Sequence, residues 1–338
     1  MRKYLSWLFL IFLGVTTSFQ TLQEEWNEYK CSGKAQGTSY SIIYYHTGLA
    51  VTQFEVDSIF QEIDNSLSVY NPRSLISKFN ESTKGLEVDA HLFNIYRYSL
   101  QINKATGGIS DLTIGPITAA WGLASKKMTN PPSASETKKL MTCVGMDKIS
   151  LKGNLLIKKK SCVKLDPNGI AQGYTVDVLA NFFLKKGIEN FLIEVGGETR
   201  WKGKKMTSNK PFILALESID SDGWEIQYKK VELQGEGAIT TSGNYRKFKE
   251  SAGKLRSHAF DARTGQQSNN ELIAVTLMAK DATTADGYDN AVLAMGLKQA
   301  LKFLKTHTYL SARLIYTTRD GLVSDTLVNR FPEPLANH

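Results

Sequence analysis

Proline is scarce, with 8 residues in 338. No proline-rich linker, short-period repeat or low-complexity tract divides the chain. Cysteine is scarcer, at 3: Cys31, Cys143 and Cys162. No two are spaced Cys-x-x-Cys, which argues against cysteine-based zinc or thioredoxin chemistry. There is no Walker loop and no Gly-x-Gly-x-x-Gly dinucleotide fingerprint. Helix-turn-helix, zinc-finger and aromatic RNA-binding patterns are also missing, so nucleic acid is not an expected partner. The apolar run over residues 5–15 falls short of the roughly 20 residues that cross a bilayer, and no later segment reads as transmembrane.

What is present is ordinary globular composition, 42% hydrophobic and 22% charged, which rules out wholesale disorder. The length allows one large domain or two small ones, with a core that needs no disulfide staples. The formal charge of +8 suits an anionic ligand or surface, and equally a solvated basic exterior. Arg2-Lys3, the apolar run and the small residues Thr16-Thr17-Ser18 have the order of a signal peptide or an N-terminal anchor. The expectation is a leader over 1–20, a polar tether over 21–33 and one folded domain over 34–330. That places the protein outside the cytoplasm, in the periplasm or attached to the outer face of the inner membrane. Glu28-Tyr29-Lys30 before Cys31 lacks the small and apolar residues of a lipoprotein site. An odd cysteine count permits at most one internal disulfide. Whether Cys143 pairs with Cys162 stays open at this level.

Hydrophobic spacing predicts helices over 54–67, 75–80, 91–106, 170–186 and 283–295, with others from about 136 and 297. Strands are expected over 38–46, 155–157, 191–195, 212–217, 231–233, 238–241, 273–279 and 312–317, with another near 149. Residues 111–121 read as a loop around Gly115-Pro116. Strands and helices mix without strict alternation, so the fold class is α+β, with mixed or antiparallel sheets packed with helices in one two-lobed unit.

Glycine-containing stretches punctuate the strand–helix junctions: Ala35-Gln36-Gly37-Thr38, Asp166-Pro167-Asn168-Gly169-Ile170-Ala171-Gln172-Gly173-Tyr174, Glu194-Val195-Gly196-Gly197-Glu198 and Thr240-Thr241-Ser242-Gly243-Asn244-Tyr245. Glycine lets backbone N–H groups approach a phosphate or a ring, although each stretch alone also describes a tight turn. Asp286 and Asn290 stand i,i+4 and share a helix face, with Asp289 at i+3. Their oxygens suit a hard cation, and equally a solvated face. His258, in Ser257-His258-Ala259-Phe260-Asp261, can take a proton from a hydroxyl nucleophile.

Taken in order, these stretches resemble the FAD:protein FMN transferase family, the ApbE-type flavin transferases. Ala35-Gln36-Gly37-Thr38 is similar to the family's Ala-Met-Gly-Thr opening. Ser68-Val69-Tyr70, Ser74-Leu75-Ile76-Ser77 and Asn80 follow its next segment. Asp111-Leu112-Thr113-Ile114-Gly115-Pro116 with Trp121-Gly122, then the stretch from Asp166 to Asp177, continue it. Gly196-Gly197-Glu198, Thr241-Ser242-Gly243, His258 through Gly265 and Ala285-Asp286-Gly287 complete the series. The resemblance spans about 34–323.

It implies an ApbE-like fold, bound FAD as substrate, and Mg²⁺ or Mn²⁺ at its pyrophosphate held by the Gly169 carbonyl, Asp286 and Asn290. It implies flavin and phosphate contacts at Gln36, Tyr70, Asn80, Asp111, Thr113, Gln172, Thr241 and His258, with His258 catalytic. The implied reaction moves FMN from FAD to a Ser or Thr hydroxyl of an exported or membrane flavoprotein, such as a membrane redox complex subunit, and releases AMP. Two other readings fit: metal-dependent FAD cleavage to FMN and AMP, and an exported FAD-binding protein without catalysis. Three positions depart from the family pattern. Asn290 stands where Thr is usual, Gln172 where Lys is common, and Gln36 where Met is usual.

Overall fold

The computed structural model describes residues 25–48, 51–123, 131–219, 225–243 and 259–335. In chain order the strands are β1 (Asn27–Ala35), β2 (Thr38–His46), β3 (Gly85–Glu87), β4 (Ile149–Lys152), β5 (Leu155–Lys158), β6 (Asn190–Val195), β7 (Glu198–Lys202), β8 (Phe212–Ile219), β9 (Ile226–Leu233), β10 (Glu236–Gly243), β11 (Phe260–Asp261), β12 (Gln266–Gln267), β13 (Leu272–Ala279), β14 (Ser311–Thr317) and β15 (Val323–Val328). The helices are α1 (Gln53–Leu67), α2 (Leu75–Glu81), α3 (Ala90–Ala105), α4 (Gly115–Ala120), α5 (Ala134–Met141), α6 (Ala171–Lys185), α7 (Ala282–Met295) and α8 (Leu297–Thr306).

The main sheet has eight strands in the order β1-β2-β6-β7-β10-β13-β14-β15. Every neighbouring pair in it is antiparallel. Side chains alternate between its faces, so two cores form. On one face Ile42, Tyr44, Ile193, Val195 and Ala238 meet Val176, Leu179 and Phe183 of α6 and Val56 and Phe60 of α1. On the other, Tyr45, Trp201 and Ile239 meet Phe212, Val231 and Leu233 of the β8–β9 hairpin. A second lobe packs α2, α3 and the small β3-β5-β4 sheet against α7. The α+β expectation therefore holds.

Two expectations are corrected. The tether over 21–33 does not extend through its range, because Asn27–Ala35 is a strand paired along its whole length with β2. Cys31 is buried there, and Trp26 and Tyr29 pack on the cores, so a polar-looking stretch carries enough inward side chains to dock. The 111–121 loop contains α4, started by Pro116 in its first turn, where a missing N–H costs nothing.

Cys143 and Cys162 form a disulfide across 19 residues, and Cys31 is the buried free thiol. The link ties the end of α5 to the segment that runs into the Asp166–Gly173 stretch. Closing a loop of this length restricts the unfolded chain, and reduction is expected to lower stability by roughly 2–3 kcal/mol. Urea titrations with and without dithiothreitol measure it. Superimposable curves would show that the bond contributes nothing in solution.

Candidate active site

The site is built where α6 and α7 cross. Gly173 makes the crossing possible, since a Cβ there would lie 2.3 Å from the Ala282 carbonyl oxygen and 2.6 Å from Asp286 Cβ. The start of α7 is fixed by Asp177 of α6, whose carboxylate accepts from Ala282 N–H (3.0 Å), Thr283 N–H (2.8 Å) and the Thr283 hydroxyl. Arg200 of β7 pairs with the same carboxylate at 2.6 Å. Asp281 caps the helix from its own end by accepting from Thr284 N–H.

At this crossing the backbone hydrogen bonding of α6 changes. Gly173 N–H donates to Asp286 Oδ2 at 2.8 Å. In a helix running one turn further back, that N–H would bond to the Gly169 carbonyl. Among the described residues no donor bonds the Gly169 carbonyl, so it is left for another electrophile.

Two cavities flank this point. One, of about 310 Å³, is lined by Tyr70, Asp111, Asp166, Asn168, Gly169 and Asn290, among others. The other, of about 620 Å³, is lined by Gln36, Asp64, Tyr70, Asn168 and Gln172 with neighbouring residues. Tyr70 and Asn168 belong to both, and the Asn168 amide approaches the Tyr70 hydroxyl at 3.5 Å. The fold thus gathers Gln36, Tyr70, Asp111, Gly169, Gln172 and Asn290 around two adjoining spaces, with Asp286 just behind.

Other expected contacts are engaged elsewhere. Asn80 clamps the backbone of Leu165, donating to its carbonyl (2.9 Å) and accepting from its N–H (2.7 Å). Thr113 donates to Asp111 and accepts from Gly145 N–H, so it staples a loop. Asp111 also accepts from Thr113 N–H, Met146 N–H and the Asn103 amide. Thr241 shares a hydrogen bond with Thr276. Its neighbours in β10 reach α7 instead: Thr240 donates to Asp289 Oδ2 (3.0 Å) and Ser242 to Asn290 Oδ1 (2.9 Å). The sequence reading gives the site role in this stretch to Thr241 and none to Thr240 or Ser242, and alternation along β10 is the signal that puts those two on one face opposite Thr241. His258 lies outside the described residues. Ala259 and Phe260, directly after it, line the smaller cavity.

The electrostatics call for positive charge. Burial pushes the Asp286 carboxyl up to about 7, with the nearby Asp177 adding to the effect and the Gly173 N–H opposing it. Burial raises Asp289 and Glu198 well above their ordinary values, and repulsion from Asp286 adds to both. Asp289 Oδ1 and Glu198 Oε2 are buried without a hydrogen-bond partner in the described structure. Among the described residues no Lys or Arg lines either cavity. A bound cation would offset the charge of these carboxylates and of an anionic ligand seated beside them.

Among the described residues no group of three or more His, Cys, Asp or Glu side chains is placed to hold a metal. A single carboxylate with a free backbone carbonyl fits Mg²⁺, which commonly takes one or two carboxylates and completes its shell with waters and substrate phosphates.

Comparison with known proteins bears on the family and the fold. The sequence model of the ApbE family matches residues 36–314. An FAD:protein FMN transferase of Vibrio cholerae is 31% identical over 297 residues, covering 86% of this chain and 88% of the relative. One from Buchnera aphidicola subsp. Schizaphis graminum is 32% identical, covering 98% of this chain and 96% of its own. The solved flavin transferase ApbE from Vibrio cholerae superposes with a TM-score of 0.82 at 29% identity, over 90% of this chain and 98% of that one. The apo flavinyl transferase ApbE of Pseudomonas stutzeri gives 0.81 at 26% identity, over 90% and 95%. A match along most of the length, and a fold that brings the dispersed motif residues to one crossing, together place this chain in the ApbE family.

Proposed function

We propose that this chain is an FAD:protein FMN transferase that uses Mg²⁺ or Mn²⁺ to move FMN from FAD to a Ser or Thr hydroxyl of an exported or membrane flavoprotein. The observation that carries the reading is the released Gly169 carbonyl one helical turn from the N–H that binds Asp286. Beside it lie cavities to which the described residues bring no cationic side chain.

The bond that forms joins the acceptor oxygen to the phosphorus on the FMN side. The bond that breaks is the phosphoanhydride to AMP, which leaves. The acceptor's proton passes to His258, whose neighbours Ala259 and Phe260 line the smaller cavity. Asp286 and the Gly169 carbonyl would hold the cation, which when bound neutralises charge at the pyrophosphate. Tyr70 and Asn168 form the shared wall that orients the dinucleotide between the two spaces. Gln172 offers an amide in the larger one, while the Gln36 amide, on the same wall, donates to the Thr175 hydroxyl at 3.0 Å. Positioning and charge complementarity do most of the work in phosphoryl chemistry of this kind.

Export is part of the proposal. The Cys143–Cys162 disulfide is of the sort that persists in oxidising compartments, and the N-terminal run has the order of a leader. A subunit of a membrane redox complex is the acceptor class proposed.

Incubation of the purified protein with FAD and Mg²⁺ tests the catalytic part. AMP release that stops on chelation is expected. Free FMN accumulating at the same rate with or without an acceptor would point to a pyrophosphatase. FAD that stays bound and intact under every metal condition would point to a carrier.

A further inference from the structure

The i,i+4 spacing suggests Asn290 as an oxygen ligand of the metal, but its hydrogen bonding gives it another polarity. Ser242 Oγ donates to Asn290 Oδ1 at 2.9 Å, so the amide oxygen is engaged from the β10 side. The amide nitrogen is turned the other way, 3.6 Å from where a Cβ on Gly169 would sit. Asn290 lines the smaller cavity together with Gly169, Asp111 and Asp166.

The surroundings favour that orientation. A cavity already lined by two aspartates, to which the described residues bring no Lys or Arg, gains nothing from another outward oxygen. Its described donors are neutral, the Tyr70 hydroxyl and the Asn168 amide among them, and a further amide N–H adds one without the desolvation cost of an ammonium. A threonine offers a single oxygen that can ligate a cation. An asparagine held by Ser242 offers an N–H₂.

We infer that Asn290 is a phosphate-binding donor rather than a metal ligand, and that Ser242 is the positioning residue that sets its amide. The inference rests on the flavin-transferase reading and deepens it. In this chain the divalent cation takes its protein ligands from Asp286 and the Gly169 carbonyl alone, and Asn290 holds a pyrophosphate oxygen directly.

Two binding measurements test this without turnover. FAD affinity is read from flavin fluorescence in the presence of chelator. Mn²⁺ affinity of the FAD-free protein is read by electron paramagnetic resonance. Asn290→Ala should weaken metal-free FAD binding roughly 10-fold, the loss of a hydrogen bond to a charged group. Its Mn²⁺ affinity should stay within about twofold of the parent, since the deleted group contacts phosphate and not metal. Ser242→Ala should weaken FAD binding about threefold, and the double variant should be no weaker than Asn290→Ala, as expected of residues acting through one contact.

A parent that binds FAD alongside an Asn290→Ala variant that binds it equally well overturns the inference alone. So does a tenfold loss of Mn²⁺ affinity in that variant. A parent that binds FAD only when Mg²⁺ is present overturns the inference alone, and one that binds FAD neither with chelator nor with Mg²⁺ overturns it together with the function beneath it. Unchanged FAD affinity in Ser242→Ala removes the positioning role.

Discussion

Asp286→Asn is expected to slow metal-dependent AMP release by roughly 10³-fold, the scale seen when a preorganised charge-stabilising group is removed from a reacting centre. The substitution is nearly isosteric. An amide oxygen can still accept from Gly173 N–H, which now donates to Oδ2 at 2.8 Å, so the crossing of α6 and α7 should persist. What disappears is the negative charge that a divalent cation needs. The rate is followed by AMP chromatography across a Mg²⁺ titration. A variant with parental rate and parental Mg²⁺ dependence would mean that Asp286 is not a ligand.

The same variant has a signature in the metal-free protein. Burial raises the Asp286 carboxyl from 3.8 to about 7, so the folded chain holds a proton that the unfolded chain releases. Its contribution to stability is therefore fully present below 3.8 and is lost as pH rises through about 7. Melting temperatures of the metal-free parent should fall across that window. In Asp286→Asn the fall should be smaller. Saturating Mg²⁺ should offset it in the parent, because the cation binds the ionised carboxylate. Equal pH profiles for the two proteins would contradict the burial argument.

Gly173→Ala has the next largest expected effect. The added methyl carbon would sit 2.3 Å from the Ala282 carbonyl oxygen, and backbone cannot yield as a flexible side-chain tip can. α6 and α7 must move apart, at a cost of about 3 kcal/mol. The shift also displaces the N–H that orients Asp286 and the turn that frees the Gly169 carbonyl. A misplacement on the order of 1 Å at a reacting centre lowers rates about 100-fold. Urea denaturation reads the first effect and AMP release the second. Near-parental values in both would show that the crossing is looser than described.

Much of this arrangement is legible in the sequence because it is local. The spacing of Asp286 and Asn290 puts them on one helix face, and a Gly-rich stretch before a helix marks a place where backbone groups stay available. What is not legible is which atoms remain free after tertiary packing. Asn80, Asp111 and Thr113 belong to residue types that serve equally as ligand contacts and as loop staples. Asn80 and Thr113 are taken up by backbone partners 85 and 32 residues away in sequence. Asp111 staples its loop and lines the smaller cavity as well. In β10 a shift of one residue exchanges faces, so Thr241 and Ser242 differ in role although adjacent. The pairing of β1 is a similar case. Only the register with β2 shows that residues with polar composition close the edge of the main sheet.

The central claim is transfer rather than cleavage or storage. The most direct measurement follows AMP release and acceptor mass together, with FAD, Mg²⁺ and a threonine-containing domain of a membrane redox flavoprotein. The account predicts AMP appearing in step with an FMN-sized mass gain on the acceptor, and neither product without the metal. AMP with an unmodified acceptor and free FMN, across acceptors of this class, would contradict it.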